Sequence, residues 1–183
     1  MGKMLNLLND GDQRTIGRVA DAVRLALGKP QHINELVDLM SHANPAVRMR
    51  AADALEKATV QHAPLLAPHK DYLIDLIEVA QQNEVRWHLA EMVTRLDLQG
   101  DEIFALAAIF TRWFQRADSR IVRTAALQGM FDLAHKDTSL IDETLKMMEL
   151  ALAGSIPALK ARARKLKGPL ERLKAASGDA ELH

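Results

Sequence analysis

Apolar side chains recur along this chain in a fixed three-position figure. Leu36, Leu73, Phe110 and Met147 stand 37 residues apart, and the same interval separates Leu39, Leu76, Trp113 and Leu150, then Met40, Ile77, Phe114 and Ala151. Within each set the spacing is i, i+3, i+4, the buried stripe of an amphipathic helix. After each set comes a polar turn and a second apolar series: Asn44-Pro45-Ala46-Val47-Arg48, Asn83-Glu84-Val85-Arg86, Ser119-Arg120-Ile121-Val122-Arg123 and Ser155-Ile156-Pro157-Ala158-Leu159-Lys160. Asn and Ser accept a hydrogen bond from the free amides of a helix start, and Pro45 stands where a missing N–H costs nothing, so these are helix N-termini rather than strands. The second helices step by three or four through Val47, Ala51, Leu55 and Ala58, then Val85, Leu89, Met92 and Leu96, then Val122, Ala126, Met130 and Leu133. The pattern predicts an all-α chain of repeated helix pairs.

The segments NPAVRMRAADALEKA, NEVRWHLAEMVTRL and SRIVRTAALQGMFDLA resemble the second helices of HEAT repeats, with a turn, Val-Arg and a face of small residues. The resemblance covers residues 33–173. It implies one α-solenoid domain over 1–183, with about four HEAT-like pairs at 31–61, 69–97, 101–135 and 138–174. Residues 15–28 echo the second-helix pattern, so 1–28 is expected to form an N-terminal capping half-repeat that covers an apolar end. The fourth second helix departs from the pattern and is expected to break at Gly168-Pro169. The acidic residue that often precedes the arginine is present only as Asp118; Ala43 and Gln81 stand in its place elsewhere. Armadillo-like units, with three helices and a longer period, are the neighbouring alternative.

The resemblance also implies where a partner would lie, on a concave surface made by the second helices. Taking Val47, Ala51 and Leu55 as inward, the register places Arg50, Asp53 and Lys57 outward, then His88, Glu91 and Arg95, then Gln128 and Asp132, then Arg162 and Lys165. Asp53 with Lys57 and Glu91 with Arg95 are also acid-to-base pairs one turn apart on their own helices. Trp87, off the apolar stripe, either contacts a partner or packs between repeats. Leu76→Ala is expected to cost about 2–5 kcal/mol, and Arg50→Ala, as a surface change, no more than about 0.5 kcal/mol. Arg48, Arg86, Arg123 and Lys160 put a cation in the first turn of each second helix, at the positive end of its dipole. In the family such residues form a polar ladder between repeats.

Composition narrows the function classes. Hydrophobic residues are 48% and charged residues 26%, while aromatics are only 4%, a helix-forming mixture. Cysteine is absent, which removes disulfides, thiolate metal sites and cysteine nucleophiles. The opening ten residues are too short and polar for a signal-peptide core, and a cytoplasmic location is the expectation. The 24 basic and 24 acidic side chains cancel, but from Lys160 to Lys174 seven cations face Glu171, a local net of +6. Residues 1–159 carry 17 basic and 21 acidic groups, net −4.

Candidate chemistry is sparse. His88 and Glu91 share a helix face but lack another ligand at the spacing of a His-Glu-x-x-His motif, and His62 and His69 flank a proline-containing loop, so no metal and no cofactor is expected. Ser41, Ser119, Ser139, Ser155 and Ser177 sit at turns or helix starts, where capping explains them. Phe110, Trp113 and Phe114 occupy core positions. A non-catalytic scaffold or adaptor with a protein partner follows, and no membrane association. The alternative is a nucleic-acid binder acting through the basic C-terminal repeat, as in HEAT-like alkylpurine DNA glycosylases.

Overall fold

The computed structural model describes residues 2–10 and 17–180, the last two by backbone alone. Among these residues the chain is α-helical with no strand. Its elements are α1 (Lys3–Asn9), α2 (Val19–Gly28), α3 (Gln31–Leu39), α4 (Pro45–Thr59), a 3-10 segment (Ala63–His69), α5 (Lys70–Val79), α6 (Asn83–Val93), α7 (Gly100–Arg116), α8 (Arg120–Ala134), a 3-10 turn (Thr138–Leu140), α9 (Ile141–Ala153) and α10 (Pro157–Ala180). No helix among them is long and apolar enough to cross a membrane. They pack as two compact units, Met1–Asp97 and Leu98–His183.

Local signals explain the helix starts. Asn44 caps α4 by accepting from the Ala46 amide at 2.9 Å, with Pro45 next to it. Ser119 caps α8 through the Val122 amide at 3.4 Å, and Gln99 with Glu102 forms a capping box at α7. Asn83 behaves differently: α6 starts on it, Gln82 takes the cap position, and no side chain caps there.

In unit 1, α4 is surrounded by α2, α3 and α6, while α5 pairs with α6. Five alanines let the neighbours approach α4 on several sides, and Val47, Ala51, Leu55 and Ala58 are essentially inaccessible to solvent. Helix α1 packs on both α2 and α4 through Met4, Leu7 and Leu8. The segment expected as a half-repeat thus carries a short first helix as well; its residues 11–16 lie outside those described. In unit 2, α8 takes the central place against α7, α9 and α10. Val122, Ala126, Met130 and Leu133 are fully buried there, and Phe110, Trp113 and Phe114 pack in the core as expected.

Three expectations need correction. Leu36, Leu73, Phe110 and Met147 are buried, as are Met40, Ile77, Phe114 and Ala151, but the intermediate column is not: Leu39 and Leu76 are half-buried and Leu150 is 63% exposed. Each stripe is centred between the outer two columns, leaving the i+3 position on its flank. Trp113 is covered because α7, the longest first helix, buries a wider arc. Leu76→Ala then belongs at the low end of the expected range. Leu150→Ala should shift the urea midpoint by an amount equivalent to less than about 0.5 kcal/mol, and a core-sized loss would restore the original stripe.

The second correction concerns α10, which runs through Gly168 and Pro169 without ending. Proline removes one ladder bond and crowds the preceding turn. Leu159, Ala163, Leu166 and Leu170 nevertheless form one buried stripe on both sides of it, and packing against α8 and α9 holds the helix together. Third, the stretch between His62 and His69 is a 3-10 segment anchored by fully buried Leu66 rather than an irregular loop.

Candidate functional site

The first-turn arginines resolve their conflict with the helix dipole by reaching backwards. Arg48 Nη1 donates to the carbonyls of His42 at 2.8 Å and Ala43 at 3.0 Å, just beyond the end of α3. Arg86 Nε donates to Ala80 O at 2.7 Å, where α5 ends, and Arg123 Nε to Phe114 O at 2.7 Å in the last turn of α7. Each guanidinium leaves the positive end of its own helix for the negative end of the one before, and satisfies carbonyls left over there. Arg123 also sits 5.7 Å from the Phe114 ring centroid. Arg48 reaches the following repeat too, donating from Nε to Gln82 Oε1 at 2.9 Å. Lys160, at the corresponding place on α10, is half-buried and makes no such bond.

The expected outward row divides into buried, bonded and exposed positions. Arg50 is the clearest correction: it is 1% exposed, the bulkiest of the fully buried side chains. Its Nη1 donates to Leu8 O at 2.7 Å and Asp10 O at 3.0 Å, so α1 covers a flank that the register assigned to solvent. Asp53 is also buried, at 7% exposure, because α6 closes over it. Its carboxylate takes an ion pair from Lys57 at 2.8 Å and lies 3.9 Å from His88 Nε2. Trp87 is half-buried with its ring 5.5 Å from that of His88.

Arg95, Gln128 and Arg162 join neighbouring second helices. Arg95 pairs with the Glu56 carboxylate and donates to Glu56 O at 3.2 Å, tying α6 to α4. In unit 2, Gln128 donates to Asp132 at 2.8 Å and accepts from Arg162, tying α10 to α8. The junctions correspond, since Asp53 and Gln128 hold one register position of the repeat and His88 and Arg162 another. Lys165 stands exposed, so Arg162 and Lys165, though one turn apart, do different things. Arg164 and Arg172 are exposed as well, whereas Lys167 pairs with Glu149 and Glu171 and Lys174 with Asp142.

His88 is the one titratable member of this row with a distinctive environment. Burial holds its imidazole below the ordinary histidine range, and the Asp53 and Glu56 carboxylates oppose that shift without cancelling it. The ring is therefore neutral near pH 7. Glu91 is half-buried on the same helix face, and one donor atom each from Glu56, His88 and Glu91 fall within 4.8 Å of one another. Glu56 is the member that sequence reasoning missed. It lies 39 residues before Arg95, slightly more than one repeat period, so a search that allowed one or two residues either side of the period would have found it.

Helix pairs that repeat at a fixed period, with α4 bonded through its side chains to α6 and α8 to α10, define an all-α helical-repeat protein. The description HEAT repeats matches residues 3–94, just over half of the chain, and the chain belongs to that family. No curated protein shows a significant match to it.

Proposed function

We propose that this protein is a non-catalytic protein-binding scaffold that engages a polypeptide along the second helices, α4 and α6 in unit 1 and α8 and α10 in unit 2. The observation that carries this reading is the set of side-chain bonds within and between those helices. Asp53–Lys57, Arg95–Glu56 and Arg162–Gln128–Asp132 fix long polar side chains in place before a partner arrives. Side chains already ordered lose less freedom on binding. Half-buried Trp87 beside them supplies a rigid amphipathic contact, a residue type enriched at interface hot spots.

Four of the five serines support the same reading, because their hydroxyls are already engaged within the fold. Ser119 caps α8 and Ser139 bonds Asp137, while Ser41 bonds Tyr72 and Ser177 donates to Leu173 O. A cytoplasmic location belongs to this proposal. The nucleic-acid alternative has fewer free cations than the sequence offered, since Arg162, Lys167 and Lys174 are engaged.

A photo-crosslinking residue at Trp87 or Lys57 should capture a discrete partner in cells, whereas the same residue at exposed Asp75 on α5 should not. Equal capture from both positions overturns the assignment of the face. Duplex DNA should bind only weakly and fade as salt rises to about 0.15 M, because phosphate binding releases counterions. Sub-micromolar DNA affinity at that salt, lost on Arg164→Glu with Lys165→Glu, would replace the scaffold with a nucleic-acid binder.

A further inference from the structure

His88 and Glu91 alone do not make a metal site, and their spacing in the sequence offers no further ligand. The fold supplies one. Helix α4 brings Glu56 against α6, and the donor atoms of Glu56, His88 and Glu91 lie within 4.8 Å of one another, all on half-buried residues. Donors at 2.0–2.2 Å from a shared zinc ion stand roughly 3.3 Å apart at a tetrahedral angle. Small rotamer changes in two glutamates close that difference.

A second observation points the same way. His88 Nδ1 is buried and has no hydrogen-bond partner, a condition that few buried polar atoms in folded proteins tolerate. Asp53 approaches Nε2 at 3.9 Å with a carboxylate 10% exposed and itself held by Lys57. At that distance the carboxylate stands in the second layer around the imidazole without a direct hydrogen bond to it.

We propose that Glu56, His88 and Glu91 form a binding site for one divalent transition-metal ion, zinc being the ion that the donor set suits best. One imidazole nitrogen with two carboxylates is too soft a set for magnesium or calcium, and it lacks the thiolates that complete a closed structural zinc site. A fourth position remains for water. Two glutamates neutralise the ion, and Glu56 is also paired with Arg95. The ion links α4 to α6 across the repeat junction, a role independent of the scaffold reading.

The test is titration of the chelator-treated full chain with zinc chloride, followed by calorimetry and thermal melting. One ion per chain and a melting temperature that rises with zinc concentration are expected, because an ion that binds only the folded state stabilises it. His88→Ala should abolish uptake, and Glu56→Gln and Glu91→Gln, which preserve shape, should each weaken it at least about tenfold, at the scale of a lost contact in or around a metal shell. Circular dichroism establishes that each variant is folded. His62→Ala with His69→Ala should leave uptake intact. Absence of saturable uptake, or uptake that survives both His88→Ala and Glu91→Gln and so belongs to a surface histidine only, overturns the proposal.

Discussion

Arg50→Ala is expected to destabilise the protein by about 2–5 kcal/mol, the range for emptying a large buried position. The substitution opens a cavity where the bulkiest fully buried side chain sat, and it takes a donor from Leu8 O and Asp10 O. An isolated helix of seven residues does not persist in water, so α1 depends on Met4, Leu7, Leu8 and this guanidinium for its place on α4. The surroundings leave little freedom to compensate. Gly17, at φ +53°, presses its Cα against the guanidinium so closely that a Cβ there would stand 3.2 Å from Arg50 Cζ and 2.9 Å from Asp10 O. Arg50→Met keeps most of the volume but no donor, and should cost about 1–3 kcal/mol, the desolvation penalty of an unmet carbonyl. Urea unfolding measures both, and amide exchange in α1 should accelerate while α7 is unchanged. A loss under about 0.5 kcal/mol for Arg50→Ala would return Arg50 to the surface position that the register first assigned.

What separates Arg50 from the positions read correctly is the range of the information. The stripes through Leu36, Leu73, Phe110 and Met147 and through Val47, Val85 and Val122 are local patterns, as are Asn44, Pro45 and Ser119 at helix starts. They fixed the helix pairs and their order. Burial of Arg50 is decided by main-chain carbonyls 40 and 42 residues upstream, and carbonyls carry no side-chain signature. The register also treated α4 as a helix with one covered side, whereas its alanines admit α2, α3 and α6 together. Pro169 shows the converse: the local breaker was visible, but the stripe that overrides it continues on the far side.

The candidate site was legible to the same degree. The outward row singled out His88, Glu91 and Arg95, but the bonds joining neighbouring second helices run between positions offset from the repeat period. Arg48 to Gln82 and Gln128 to Arg162 each span 34 residues, one helical turn short of the period, while Arg95 reaches Glu56 across 39. The offsets fall on both sides of the period, so the pairing is set by packing geometry and side-chain reach and not by the period itself. A search at the period less one turn would have joined Gln128 to Arg162, and a search near the full period would have joined Glu56 to Arg95.

Gly129→Met should cost about 3 kcal/mol, the upper part of the usual range for overpacking, even though methionine is the better helix former by up to about 1 kcal/mol. Gly129 lies in the middle of α8, where a Cβ would stand 2.5 Å from one ring atom of Phe110 and 2.8 Å from two more. That ring has no exposed surface, and Trp113 packs beside it at 6.2 Å between centroids, so it has nowhere to swing. The repeat register shows why glycine is here. One period earlier Leu73 corresponds to Phe110 and Met92 to Gly129; two periods earlier Leu36 and Ala54 take those places. The largest residue in the first-helix column is matched by the smallest in the second-helix column, so Phe110 with Gly129 fills nearly the same total volume as Leu36 with Ala54. Phe110→Leu combined with Gly129→Ala recreates the Leu36–Ala54 pair and should recover a substantial part of the loss caused by Gly129→Ala, with a coupling of about 0.5–3 kcal/mol in a double-mutant cycle. Gly129→Ala gives the sign of the effect most cleanly: propensity alone predicts a gain, and contact with Phe110 predicts a loss. A urea midpoint that rises for Gly129→Ala, or a cycle with no coupling, would show that the ring yields and that the exchange of volume has no energetic content.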